Sequence, residues 1–204
     1  VSNVWSWMDH ADDALDKATK VIQRMEYLAV QAANDTLTDS ERESILKEVE
    51  QLEEQMMTIA NSSVNGRYIF NGTDTDQAPV GKDINGEIQI LQGNGREQAV
   101  IIEVAKGITF QVNMDPDTVF PEELFETIKN FKTALLEYNS QSDINNSIKE
   151  LNDRAQEIIR GRAELGARMN RLELIEDRLQ HQGIIAEDIM KRNEGVDFEE
   201  AVMN

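Results

Sequence analysis

An unbroken helical pattern over residues 143–193 constrains the fold of this chain more than any other feature. Its apolar residues recur at helical spacing, mostly in steps of three or four: Ile144, Ile148, Leu151, Ala155, Ile158, Leu165, Met169, Leu172, Ile175, Leu179 and Ile189. A helix of about 50 residues, rising 1.5 Å per residue, is roughly 75 Å long. No single neighbour covers a rod of that length, so helices from elsewhere in the chain must line it.

Two further helices are predicted near the beginning of the chain. Residues 8–34 carry an apolar seam at the same alternating spacing: Leu15, Ala18, Ile22, Met25, Ala29 and Ala32. After the polar break "NDTLT", Thr38 and Glu41 form a capping box, which marks the start of a second helix. That helix carries Ile45, Val49, Leu52, Met56 and Ile59. Because the break is short, we expect the two helices to pack as an antiparallel pair.

The pattern changes after Asn61. Asn-Gly pairs at 65–66, 71–72, 85–86 and 94–95 are strong turn signals. The segments between them, "RYIF", "EIQIL", "AVIIEV" and "ITFQV", are short and rich in β-branched and aromatic residues. We therefore predict β-hairpins over residues 67–113.

Pro116 and Pro121 precede a return to helix over 121–138. One face of this helix is apolar: Leu124, Phe125, Ile128, Phe131 and Leu135. The predicted fold is mainly α with a β insertion, an elongated helical bundle built from both chain ends plus a small β-hairpin lobe. The predicted domains are a discontinuous helical core, residues 1–66 and 119–204, and a β-rich insertion, residues 67–118.

Charge and cysteine content exclude several classes of function. The chain has 20 basic and 39 acidic residues and a formal net charge of -19. Affinity for phosphate backbones and for anionic lipids comes mainly from Lys and Arg, so nucleic acid and membrane surfaces are disfavoured partners. Without Cys there is no disulfide, thiolate ligand or Cys nucleophile. No segment approaches the 18 or so apolar residues of a membrane span, and the first residues lack the features of a cleaved signal peptide.

No pattern of catalytic or metal-binding residues is present. The two histidines, His10 and His181, both lie in charged stretches, and neither belongs to the Glu-x-x-His motif of di-iron bundles. "GNG" at 93–95 lacks the Lys of a phosphate-binding loop. The sequence therefore predicts no enzyme, no cofactor and no metal. An acidic hydrolase or metalloprotein is the alternative of a different class.

The stretch "RAELGARMNRLE", residues 162–173, carries two stripes. Leu165, Met169 and Leu172 continue the core seam, whereas an adjacent face holds the small-residue stripe Ala163, Gly166, Ala167 and Asn170. A Gly inside a helix costs about 1 kcal/mol relative to Ala. Small residues let another helix approach closely, in this chain or in another subunit. The alternative is that Gly166 is merely tolerated at an exposed position.

The first helix carries a comparable run of small residues, Ala29, Ala32 and Ala33, near its end. Four arginines surround the second stripe: Arg160, Arg162, Arg168 and Arg171. They either pair with Glu residues one turn away or face an acidic surface on this chain or on a neighbouring subunit. The candidate subunit-packing residues are Gln31, Ala32, Ala33, Asn34, Arg162, Ala163, Gly166, Ala167, Arg168, Asn170 and Arg171.

Two blocks of the sequence carry a family resemblance. "RMEYLAVQAANDTLTDSERESILKEVEQLEEQMMTIAN" (24–61) resembles the N-terminal core segment of the bacterial flagellin-type family, and residues 162–173 resemble its C-terminal core helix. "NGRYIFNGTDTDQAPV" (65–80) is similar to the family's proteins at the junction between hook and filament. "VDFEEAVMN" (196–204) resembles the point where the family's C-terminal helix enters its terminal coiled coil.

The resemblance implies a structural subunit of the bacterial flagellum, without enzymatic activity or cofactor. It implies packing with copies of itself, with hook-associated protein 1 and with flagellin, together with an export chaperone. It also implies an extracellular location in the flagellum, reached through the flagellar channel without a cleaved signal peptide. Because the family's terminal segments are missing, the fragment is expected to be monomeric in dilute solution. The alternatives are flagellin itself and a helical adhesin or coiled-coil receptor fragment.

Overall fold

A computed structural model describes residues 2–138 and 141–203, and the side chains of these residues except 184–186 and 193–203. The helices in the described part are α1 Ser2–Ala32, α2 Asp39–Ala60, α3 Pro116–Val119, α4 Glu122–Glu137 and α5 Gln141–Met203. The prediction of a mainly helical chain with a β insertion is confirmed. Among these residues, no helix is both long and apolar enough to cross a membrane.

The four long helices form a closed ring in which each one contacts two neighbours: α1 packs on α2 and α5, and α4 packs on the same two helices. Arg24 of α1 pairs with Glu48 of α2, whereas Lys17 and Lys20 share a groove with Glu54 and Thr58. The residue numbers therefore rise along one helix as they fall along the other. The predicted antiparallel packing of α1 and α2 is confirmed.

The core lies between the apolar faces of these helices. The buried residues of α1 include Leu15, Ala18, Ile22, Met25, Ala29 and Ala32, which is the predicted seam. In α5 the seam is buried at Ile144, Leu151, Ala155, Ile158, Leu165 and Leu172 and half-buried at Ile148, Met169 and Ile175. Area removed from water is the main source of stability here, so this seam holds α5 to α1 and α4.

The predicted seam of α5 is wrong at its far end, because Ile189 is 52% exposed. Trp5 donates its indole N–H to Glu176, which places the first turns of α1 beside that part of α5. Beyond it, α5 has no neighbouring helix among the described residues. The helix also continues through Gly195 to Met203, further than the predicted end at 193.

Other boundaries differ modestly from the predictions. α1 begins at Ser2 rather than residue 8, and α5 begins at Gln141 rather than 143. The predicted start of α2 is confirmed, since the Thr38 hydroxyl accepts a hydrogen bond from the Glu41 amide at 3.2 Å. The short helix α3 is not predicted. Its N-cap is Asp115, whose carboxylate accepts from the Asp117 amide at 2.9 Å.

Three two-stranded antiparallel sheets make up the β structure described here. They pair β1 Ser63–Val64 with β2 Arg67–Tyr68, β3 Val80–Lys82 with β4 Ile88–Ile90, and β5 Ile101–Ala105 with β6 Ile108–Gln111. The first hairpin turns at Asn65 and Gly66, both with positive φ, as a type I′ turn requires. It begins at Ser63, so the predicted boundary at residue 67 lies inside it. The two-domain division itself stays a prediction.

Specific polar contacts hold the β structure to the helices. The Asn61 side chain exchanges two hydrogen bonds with the Val80 backbone, at 2.9 and 3.0 Å. Arg96 is buried, pairs with Asp117 at 3.2 Å and donates to the Phe120 carbonyl at 3.1 Å. The hairpins are thereby fixed beside the bundle rather than tethered by a flexible linker.

Candidate subunit-packing surface

The small-residue stripe of α5 lies on the outside of the bundle. Ala163, Ala167 and Asn170 are exposed, and Gly166 is half-buried. A Cβ atom built on Gly166 would have no heavy atom within 4 Å apart from its chain neighbours and the backbone of its own helix turn. Packing inside this chain therefore does not require a glycine at 166.

Among the described glycines of α5, the tightly packed one is Gly161, five residues before Gly166. A Cβ atom at this position would lie 2.3 Å from Cγ1 of Val119 and 3.4 Å from Cε of Met114. Helix α3 thus rests directly on the α5 backbone at Gly161. The sequence pattern does not single out this residue, because Val119 is distant along the chain.

The candidates at the end of α1 divide into buried and exposed positions. Ala32 is fully buried and Ala33 is half-buried, so neither presents a free surface of any size. The Asn34 side chain accepts hydrogen bonds from the Thr36 amide at 3.0 Å and the Thr36 hydroxyl at 2.7 Å. Of these four candidates, Gln31 alone has an exposed side chain that forms no hydrogen bond with a described residue.

Arg162 joins the two ends of the chain. Its guanidinium lies 2.9 Å from Asp12 and 2.9 Å from Asp16, both on α1. The hydrogen bond with Asp12, and secondarily the two negative charges, raise the pKa of Arg162. The pKa of Asp16 is lowered, mainly by its hydrogen bond with Lys20 and also by Arg162. Arg162 is therefore committed to an internal ion-pair network.

Arg168 is also used within the chain, whereas two other arginines are not. It pairs with Glu164 one turn away at 3.0 Å and donates to the Asn113 carbonyl. Arg160 and Arg171 are exposed, and neither forms an ion pair with any residue that the structure describes. Two of the four clustered arginines thus remain available to a neighbour.

We name the resulting surface the α5 strip: Arg160, Ala163, Ala167, Asn170, Arg171 and Leu174. Its residues repeat at steps of three and four and so share one helix face. Leu174 is 70% exposed. Leu174 follows the core residue Leu172 by two positions, so the two side chains cannot lie on the same helix face. A leucine off the core face is the sequence signal that could have identified this exposed position.

The structure does not bring the two predicted stripes together. The end of α1 lies at the start of α5, where Gln141 donates to the Ala33 carbonyl. The α5 strip begins about 20 residues later, which is roughly 30 Å along the helix. The two stripes are separate surfaces and cannot form one contact.

Comparison with known proteins agrees with this architecture. Residues 2–75 match the bacterial flagellin N-terminal helical region. Flagellar hook-associated protein 3 of Escherichia coli is 27% identical over 185 residues, covering 81% of this chain and 58% of that protein. A flagellin of Clostridium tyrobutyricum is 34% identical over 86 residues, covering 42% of this chain and 22% of that protein.

A solved structure shows the same fold. A putative flagellar hook-associated protein from Vibrio parahaemolyticus superimposes with a TM-score of 0.82 at 21% identity, covering 92% of this chain and 85% of that one. The chain therefore shares its fold with that protein, and its residues 2–75 are similar to the bacterial flagellin N-terminal helical region. Across most of its length it is similar to flagellar hook-associated protein 3, and it spans 58% of the length of that Escherichia coli relative.

Proposed function

We propose that the chain is part of a structural subunit that forms the junction between hook and filament of the bacterial flagellum. The observation that carries this proposal is the extent of similarity. The match to hook-associated protein 3 covers 81% of the chain. The flagellin match covers 42%. Flagellin, the filament subunit, is the alternative within the same family.

The make-up of the chain supports a structural rather than an enzymatic role. Within the described residues, no group of three or more His, Asp or Glu side chains is placed to hold a metal ion. The most conspicuous features of the surface are instead an exposed helix strip and a large excess of acidic groups. The proposed subunit is not an enzyme and uses no cofactor.

The proposed partners are hook-associated protein 1, flagellin, like subunits and an export chaperone. The proposed location is the extracellular flagellum, reached through its channel without cleavage of a signal peptide. We further propose that like subunits pack through the exposed candidates Ala163, Ala167, Asn170 and Arg171 and the half-buried Gly166. Open space at Gly166 supports this, since a backbone bare of side chains on an outer face permits a second helix to come close.

A deletion experiment tests the junction assignment. A strain lacking the full-length gene should secrete flagellin as monomers into the medium and should carry hooks without filaments. Complementation with the intact gene should restore filaments and is the matched control. Filaments retained on the deletion strain would overturn the assignment, and loss of flagellin from both cells and medium would favour the flagellin alternative.

A further inference from the structure

A groove between α2 and α4 has an apolar floor and an acidic rim. Its volume is about 550 Å³, and Leu46, Leu135, Leu136 and Tyr138 form its apolar part. Leu136 is 73% exposed, an unusual position for a large apolar side chain on a helix that buries its opposite face. The groove thus offers apolar area to a partner.

The charges on the rim of this groove are unbalanced. Asp39 pairs with Arg42, and Glu43 lies 3.8 Å from Lys47. Glu50 and Glu137 also line the groove, and neither forms an ion pair with a residue in the described part of the chain. Two carboxylates therefore remain free beside exposed leucine.

We propose that this groove receives the α5 strip of a second copy of the chain. Arg160 and Arg171 of one copy pair with Glu50 and Glu137 of the next, and Leu174 packs against Leu136. The proposal rests on the proposed function, self-packing of a flagellar subunit, and names the two faces that meet. Charge complementarity selects the occupant, since both unpaired arginines of the cluster lie on the strip.

A second groove, between α1 and α2, is a poorer match for the positively charged α5 strip. That groove also has apolar walls, Val21 and Ile59, but Lys17 and Lys20 line it. Both lysines pair with aspartates of α1, and the Glu54 carboxylate of this groove pairs with Lys82. The described lining residues therefore offer the two arginines of the strip no unpaired acidic group. The α2–α4 groove is the one whose charge and apolar area both match.

The strip cannot reach the groove of its own chain. Tyr138 lines the same cavity as Asp143 and Asn146, so Leu136 lies level with the first turns of α5. Leu174 is about 40 Å further along that helix. The contact therefore joins two copies through different faces, the strip of one and the groove of the other. When each copy offers its strip to one neighbour and its groove to another, the contact is heterologous and builds a ring or an open helix.

Disulfide trapping tests the contact directly, because the chain has no Cys of its own. We would mix the Leu136→Cys and Leu174→Cys variants at high protein concentration under mild oxidation. The mixed disulfide dimer should exceed either homodimer about tenfold, since only this pair of positions meets within the distance that a disulfide spans. A mixture of Leu136→Cys with Glu97→Cys, an exposed position in the β-rich insertion, is the matched control. Abundant homodimers, or a mixed yield equal to the control, would overturn the proposal.

A charge-swap experiment distinguishes specific contact between the strip and the groove from disulfide formation by random collision. Adding Glu50→Arg and Glu137→Arg to the groove variant should lower the trapped yield about tenfold, and so should adding Arg160→Glu and Arg171→Glu to the strip variant. Combining the two swapped chains should restore the yield. Circular dichroism verifies that each variant is folded. Failure to restore the yield among folded variants would overturn the pairing.

The failure of this contact and the failure of the junction assignment are distinguishable. If the deletion strain secretes flagellin but trapping gives only control yields, the junction function stands and this contact is wrong. If trapping succeeds while the deletion strain keeps its filaments, the contact stands and the junction function is wrong.

Discussion

Two glycines on α5, Gly161 and Gly166, have opposite surroundings. The space around Gly161 is filled by Val119, whereas that around Gly166 is empty. We expect Gly166→Ala to raise the free energy of unfolding by about 0.4–1 kcal/mol, because Ala has the higher helix propensity and restricts the unfolded chain. Gly161→Ala should lower it by about 1–2 kcal/mol, since overpacking against a stiff β-branched side chain outweighs the propensity gain. Urea unfolding of the matched pair checks this, and effects of equal sign would contradict it.

A larger residue at position 166 tests the stability of the isolated chain and the assembly of the full-length protein separately. Gly166→Leu should also raise the unfolding midpoint of the isolated chain, because Leu has a higher helix propensity than Gly and a Cβ atom at this position meets open space. In the full-length protein, the same change should impair assembly if a second subunit packs closely there. The measurement is filament retention in a complemented deletion strain, with Gly166→Ala as the milder control. Normal assembly with Leu would show that Gly166 is merely tolerated.

The contact between α2 and α4 contains a buried ion pair. Glu53 is 8% exposed and accepts a hydrogen bond from Lys132 at 2.7 Å. Burial raises the pKa of Glu53 above its ordinary value of 4.5, and nearby Glu87 and Glu54 raise it further, while Lys132 acts in the opposite direction. Desolvation has the largest effect, so the folded chain binds the proton of the Glu53 carboxyl group more tightly than the unfolded chain does.

The pH dependence follows from that difference. The contribution of Glu53 protonation to stability is fully present below pH 4.5 and is lost as the pH rises through the raised pKa. The stability of the native chain relative to a Glu53→Gln variant should therefore fall as the pH is raised from about 4 to 7. Urea unfolding of both proteins across this range checks the sign. Glu43→Gln, which alters an exposed partner of Lys47, is the control. A difference that grows with pH would contradict the assigned direction.

The helices could be predicted from the sequence because their stabilising pattern is local. The three-and-four spacing of apolar residues and the Thr38 cap are both visible in short windows. Strands β1 and β3 could not be predicted in the same way. Each has only two or three residues, and β3 is fixed by the hydrogen bonds of Val80 with Asn61. Their stability comes from tertiary contacts rather than from strand propensity.

The packing surface was predictable only in part, for a related reason. The sequence shows the small-residue stripe of α5, but it does not show which residues form ion pairs with the arginines beside that stripe. Arg162 binds Asp12 and Asp16 from the opposite end of the chain, which removes it from the outer surface. Arg160 lies only two residues away, is exposed and forms no ion pair with a described residue. Distinguishing such positions requires the three-dimensional arrangement of α1 against α5.

At the scale of the whole molecule, α5 passes from a packed helix to an unpacked one. Its seam is buried at Leu151, Ala155, Ile158, Leu165 and Leu172. From residue 177 to 192, every described side chain is exposed apart from the half-buried Leu179. Isolated helices of about 12–15 residues are marginal in water, because most helix stability in proteins comes from tertiary packing. The two parts of one continuous helix should therefore open with very different free energies.

Hydrogen exchange of the isolated chain measures this difference. Amides within 150–172 should exchange through global unfolding and be protected to the full stability of the bundle. Amides within 180–192 should exchange through local opening, with protection lower by at least about a hundredfold, since each factor of ten corresponds to roughly 1.4 kcal/mol. The packed segment serves as the internal control, because both belong to α5 in one sample. Equal protection in the two segments would show that contacts between copies or with the rest of the chain cover the second part in solution.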